Sequence, residues 1–150
     1  MIFLRFIKYW LPLLLWVAAM FIGSTDLMSA EHTSRFLVPF LHWLKGDISA
    51  ETVAQVQLLM RKGAHLAEYA IFAILFWRTL YRGTKLKMNM PIVYVSVWIA
   101  AALLAAADEF HQSFVVSRTA SPNDVLIDIC GTLIGLVICS MFARKREPWA

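Results

Sequence analysis

The chain has 150 residues, 60% of them hydrophobic and only 16% charged, with a net charge of +4. A soluble domain of this size is about half apolar and about a quarter charged, so the balance points to an all-α, polytopic membrane protein with no separate soluble domain. No basic block is dense enough for a nucleic-acid arm, which excludes nucleic acid as a partner.

Four apolar segments are expected to cross the bilayer, at about residues 7–23, 64–81, 91–107 and 125–143. Each approaches the ~20 residues that span ~30 Å of hydrocarbon as a helix. The first reads as a retained span. A cleaved signal peptide needs small residues at its cleavage site, and "LMSA" puts Met28 there. Between the first two spans lies a longer loop, 24–63. In it Phe36, Leu37, Phe40, Leu41 and Leu44 recur at helical spacing, which predicts a short helix lying in the interface, with Pro39 limiting where it starts. After "KGDIS", Val53, Val56 and Met60 mark a second helical face that can run through Gly63 into the second span. Cys130 and Cys139 share the last span. Nine helical residues separate them by roughly 13 Å, too far for a bridge.

Basic residues set the orientation. With four spans, Arg5, Lys8, Arg78, Arg82, Lys85, Lys87, Arg144, Lys145 and Arg146 fall on one side. Arg35, Lys45, Arg61, Lys62 and Arg118 fall on the other. Both termini are therefore expected in the cytoplasm of a bacterial cell, with the protein in its cytoplasmic (inner) membrane.

The remaining ionisable residues gather at the opposite, extracytoplasmic mouth. Arg61, His65, Glu68 and Phe72 form one helical stripe, flanked by Lys62 and Tyr69. Asp108, His111 and Gln112 project together if the third helix continues past its apolar run. Asp124, Asp128, Gly131 and Gly135 form a stripe on the fourth. Ser121-Pro122 before it reads as a cap followed by a first-turn proline. A carboxylate at the bilayer centre costs about 2.5–3.5 kcal/mol on insertion scales, so Glu68 and Asp128 should turn inward, toward each other or toward the nearby cations. Gly131-x-x-x-Gly135 and "AAALLAAA" let helices approach closely.

Each group has an ordinary explanation. His65 with Glu68 is a helix-surface pair, Asp108 and Glu109 fit a solvated loop, and Trp10, Trp16, Trp43 and Trp98 are membrane anchors. The coincidence of three polar stripes at one mouth favours a functional pocket. Two histidines with several carboxylates are also a metal-ligand chemistry, but no His-Glu-x-x-His element is present, so metal and cofactor stay undetermined.

Two stretches resemble the VanZ family of small bacterial membrane proteins: "RKGAHLAEYAIFAIL" from Arg61 and "DEFHQSFVVSRTASPNDVLIDICGTLIG" from Asp108. Lys62, His65, Glu68 and Tyr69 match Lys-x-x-His-x-x-Glu-Tyr. Asp108, Glu109, His111, Gln112 and Arg118, then Ser121, Asp124 and Asp128, match the second motif. One departure is Ser117, where the pattern places a proline in the turn ahead of Arg118. The resemblance implies a single domain over 1–150 and a link to low-level teicoplanin resistance, hence action at the outer membrane surface or on wall precursors.

Three functions compete. In the first, the pocket binds or processes a membrane lipid or lipid-linked envelope precursor. Arg61, Lys62 and Arg118 contact its anionic group, and His65, Glu68, Asp108 and His111 form the floor. In the second, the protein is an intramembrane acid/base or metal-assisted hydrolase, with His65 or His111 as base oriented by Glu68 or Asp108. In the third, it is a structural modulator of an envelope-protein partner.

Overall fold

A computed structural model describes residues 2–25, 30–84, 88–115 and 121–144. Arg118 and the turn at Ser117, together with Lys85, Lys87, Lys145, Arg146 and Met28, lie outside the described residues. Among the described residues all regular structure is helical.

The first rod is α1 (Ile2–Arg5), a wide π-helical turn (Phe6–Trp10) and α2 (Leu11–Gly23). Pro12 accounts for the wide turn. It has no N–H to donate, and its ring crowds the carbonyl of Lys8. The widened turn relieves this, and the Leu11 N–H bonds back to the Phe6 carbonyl. Next comes α3 (Ala30–Lys45). The sequence reading has Pro39 limiting where this helix starts; it lies well inside it instead, nine residues after Ala30. Phe36, Phe40, Trp43 and Leu44 form an exposed apolar face on this helix.

The longest element is α4 (Ala50–Arg78), 29 residues. The Ser49 side chain caps it by accepting the Thr52 N–H. It runs unbroken through Gly63, so the face before the second apolar run and that run are one helix of about 43 Å. A second π-helical turn (Thr79–Gly83) ends it. The last two helices are α5 (Met90–Gln112) and α6 (Pro122–Arg144). The third apolar run thus continues as helix through the motif at 108–112, and α6 opens at Pro122, where the sequence places its first turn.

Among the described residues, three helices are long and apolar enough to cross a membrane: Phe3–Gly23, Met90–Gln112 and Pro122–Ala143. The sequence reading expected four. The missing one is the 64–81 part of α4. There His65 and Glu68 at one end and Arg78 near the other dilute the apolar run.

The bundle is built around α4, which packs most extensively on α6. The two run parallel in a fixed register: Arg61 meets Asp124 and His65 meets Asp128, both 63 residues apart. Deeper in, a Cβ on Gly131 would overlap the Leu66 carbonyl, and one on Gly135 the Ala70 carbonyl. Small residues on α6 therefore let it lie directly on the α4 backbone. One core cluster joins Tyr69 and Phe72 to Leu13, Met20, Ala101 and Ala105. A second joins Ala73 and Trp77 to Val93, Val97, Leu136 and Cys139. Leu14, Leu15, Leu103, Leu133, Val137 and Phe142 point outward. This apolar exterior suits a hydrocarbon solvent.

The two ends of the bundle differ chemically. At one end the Arg5 guanidinium donates to the carbonyls of Arg82 and Thr84, and Arg78 and Lys8 lie over the Tyr9 ring. At the other end the acids and His65 converge.

Candidate functional site

The polar cluster forms where α4 passes between the end of α5 and the start of α6. Arg61 Nη2 contacts Asp124 Oδ2 at 2.6 Å. One turn deeper, His65 Nδ1 lies 3.0 Å from Asp128 Oδ1. Asp128 has no exposed surface, and its backbone carbonyl accepts the Thr132 hydroxyl. A carboxylate this deep needs polar partners; the histidine serves Oδ1, while Oδ2 is buried with no hydrogen-bond partner. From α5, Glu109 Oε2 accepts the Ser121 N–H at 2.6 Å, which ties the start of α6 to the end of α5. Gln112 donates to Asp108 Oδ2 at 2.9 Å, across one helical turn.

Beside this network lies a cavity of about 780 Å³. Its ionisable and amide lining includes Gln57, Arg61, His65, Glu68, Asp108 and Gln112, with the hydroxyls of Ser24 and Thr33, and its apolar lining includes Ala19, Ile22, Leu37, Ala54 and Leu58. α2, α3, α4 and α5 all contribute lining residues to it.

The candidate residues named from the sequence divide into three groups. Arg61, His65, Glu68, Asp108 and Gln112 line the cavity. Glu109, Asp124, Asp128 and Tyr69 are buried behind it, and Ser121 joins Glu109 through its backbone. His111 and Lys62 are half-buried and are not among the cavity-lining residues. The His111 ring instead packs on Phe21, with centroids 4.7 Å apart. The expected orienting partners also change. His65 is held by Asp128 and not by Glu68 or Asp108. The i, i+3 spacing from His65 places Glu68 on the same helix, whereas the parallel register with α6 brings Asp128 within bonding range.

Two contributions were not legible as site features. Trp16, read as a membrane anchor, donates its indole N–H to the Glu68 carbonyl at 3.0 Å. The apolar lining of the cavity draws on α2, α3 and the first turns of α4. The helical stripe of Leu37 on α3 was visible in the sequence, but its partner helices were not.

Several groups here have ligand chemistry. One donor atom each from His65, Glu109 and Asp124 can be chosen so that all lie within 4.8 Å of one another. All three residues are buried.

An all-helical membrane protein with outward apolar faces and an acid-histidine cluster buried at one end of its bundle is the class this architecture defines. More particularly, the chain belongs to the VanZ/LLP1 family, whose model matches residues 9–143. No curated protein and no solved structure matches the chain.

Proposed function

We propose that the cavity binds the headgroup and first apolar segment of a membrane lipid or lipid-linked envelope precursor at the extracytoplasmic face. The observation that carries this reading is one cavity lined by both ionisable and apolar side chains. An amphiphile presents both kinds of surface in one molecule. Arg61 supplies cationic character in this lining, and an arginine fork suits a phosphate. On this reading a ligand of the cell envelope is also what would connect the chain to glycopeptide (teicoplanin) resistance.

In this reading α4 is the fourth crossing. Residues 64–81 pack side by side with the three apolar helices, so they occupy the same depth, and the charged end is sheltered by α5 and α6. The first turns, from Ala50 to Gly63, then extend about 20 Å beyond the hydrocarbon. Arg5, Lys8, Arg78 and Arg82 gather at the other end, which the positive-inside bias assigns to the cytoplasm together with both termini. The exposed apolar face of α3 lies in the outer interface.

The test is photo-crosslinking in native membranes, with phospholipid and lipid-linked precursor probes carrying the reactive group near the headgroup. Labelling of peptides containing Leu37, Leu58 or Arg61 is expected. Labelling confined to outward residues such as Leu103 and Val137 would refute the reading.

One observation favours a hydrolase instead. A histidine held through Nδ1 by a buried carboxylate leaves Nε2 free to take a proton, the arrangement of a general base. Turnover of a bound precursor that His65→Ala abolishes, with ligand binding retained, would select that reading.

A further inference from the structure

We propose that His65, Glu109 and Asp124 form a three-ligand site for a divalent transition-metal ion at the base of the cavity. The three side chains come from three helices, so the bundle itself assembles the site. Their donor atoms lie within 4.8 Å of one another. Ligands bound at about 2.1 Å to one ion stand about 3–4 Å apart, so side-chain adjustment of under about 1 Å completes the set.

Each ligand is prepared in its own way. His65 has Nδ1 engaged by Asp128. This fixes the ring orientation and presents Nε2, as an outer-sphere carboxylate does for a metal-bound histidine. Glu109 uses Oε2 on the Ser121 N–H, while Oε1 is buried with no hydrogen-bond partner in a side chain only 7% exposed. A buried, orphaned carboxylate oxygen beside an oriented imidazole is costly unless something binds it. Asp124 spends Oδ2 on Arg61 and has a second oxygen to offer.

Charge balance points the same way. Glu109, Asp124 and Asp128 are all buried; among the described residues the Arg61 guanidinium pairs with Asp124 and the His65 ring with Asp128. Three buried carboxyl groups outnumber the one guanidinium beside them, and a divalent cation is the counter-charge that lets them ionise together. The donor set narrows the choice. One imidazole with carboxylates suits zinc or manganese, whereas calcium and magnesium prefer oxygen alone and copper(I) prefers sulfur. Three protein ligands leave at least one coordination position open. Since His65 also lines the cavity, an anionic headgroup oxygen would reach that position, a step that rests on the function proposed above.

The site is tested without any lipid, so its failure is separable from failure of the lipid reading. Full-length protein in detergent is stripped with a chelator and titrated with zinc or manganese, with metal content and X-ray absorption measured on the loaded form. One ion per chain is expected, in a nitrogen-and-oxygen shell with a single imidazole. Asp128→Ala should weaken binding about 10- to 100-fold by releasing the His65 ring. Glu109→Gln keeps an acceptor for the Ser121 N–H and should weaken binding at least as much. Substoichiometric uptake overturns the proposal. So does unchanged affinity in a folded Glu109→Gln variant. If that variant does not fold, a shell with sulfur or without imidazole in the unsubstituted protein overturns it equally.

Discussion

Gly131→Ala is the sharpest perturbation of this bundle, because the added methyl meets backbone and not a movable side chain. Its Cβ would lie 3.0 Å from the Leu66 carbonyl carbon and 3.1 Å from its Cα, with the carbonyl oxygen closer still. Ordinary methyl contacts need about 3.5–4 Å. Neither helix can yield locally, so α6 must move off α4 by several tenths of an ångström to about 1 Å. The ion pairs sit about one to two turns away in the same parallel register. His65 Nδ1 and Asp128 Oδ1 are 3.0 Å apart, and a further 1 Å takes them out of hydrogen-bonding range. Overpacking alone costs about 1–3 kcal/mol, and disturbance of a buried pair adds to it. For a chain of this length, 1 kcal/mol corresponds to about 2–4 °C of melting temperature. Gly131→Ala should therefore lower the thermal midpoint in detergent by about 2–12 °C, and Gly131→Leu should prevent assembly. A Gly131→Ala protein that melts with the wild type would refute the close α4/α6 contact, and with it the register that assembles the cluster.

The remaining predictions concern single groups. A double-mutant cycle on His65 and Asp128 should show strong coupling. His65→Ala strands a buried carboxylate and costs more than exchanging both residues for apolar ones of similar size; additive losses in melting temperature would contradict the pairing. Tyr69→Phe should leave stability within about 0.5 kcal/mol or raise it, since the buried Tyr69 hydroxyl has no hydrogen-bond partner. A clear drop in melting temperature would reveal a partner for that hydroxyl. In a cysteine-free background, Asp47→Cys and Thr84→Cys should label from opposite faces of the membrane, as crossing by α4 requires. Labelling from one face would remove that crossing.

Much of this arrangement was legible from local pattern. Helical periodicity placed Arg61, His65 and Glu68 on one stripe and Asp124, Asp128, Gly131 and Gly135 on another, and both stripes take part in the packing. The Ser121-Pro122 start of α6 and the passage of α4 through Gly63 were also readable, because caps and breakers act over a few residues. Pairings between helices were not. Which carboxylate holds His65 depends on the axial offset of α4 and α6, and that offset is set by Gly131 and Gly135 against Leu66 and Ala70. Glu109 shows the same limit. Its sequence neighbours place it beside Asp108, but a helix turns about 100° per residue, so the two adjacent acids face different surroundings. One bonds Gln112 on its own helix, and the other receives the first amide of the next element.

That division explains why so polar a cluster can exist in so apolar a chain. An ionisable group in a membrane helix is expensive in proportion to the lipid it faces. Here the parallel α4/α6 contact turns Arg61 and His65 toward Asp124 and Asp128, and α5 closes the third side with Glu109. The apolar requirement is met by the outward faces of the same helices. α4 can then afford more charge than a lone span, because its neighbours, and not the lipid, surround its polar end. The features that disqualify it as an isolated membrane helix are the ones that equip it to carry the site. Replacing His65 and Glu68 with leucine should make α4 insert more readily as an isolated segment, yet abolish metal uptake by the assembled protein. Insertion that stayed the same would mean those residues do not limit its passage into lipid.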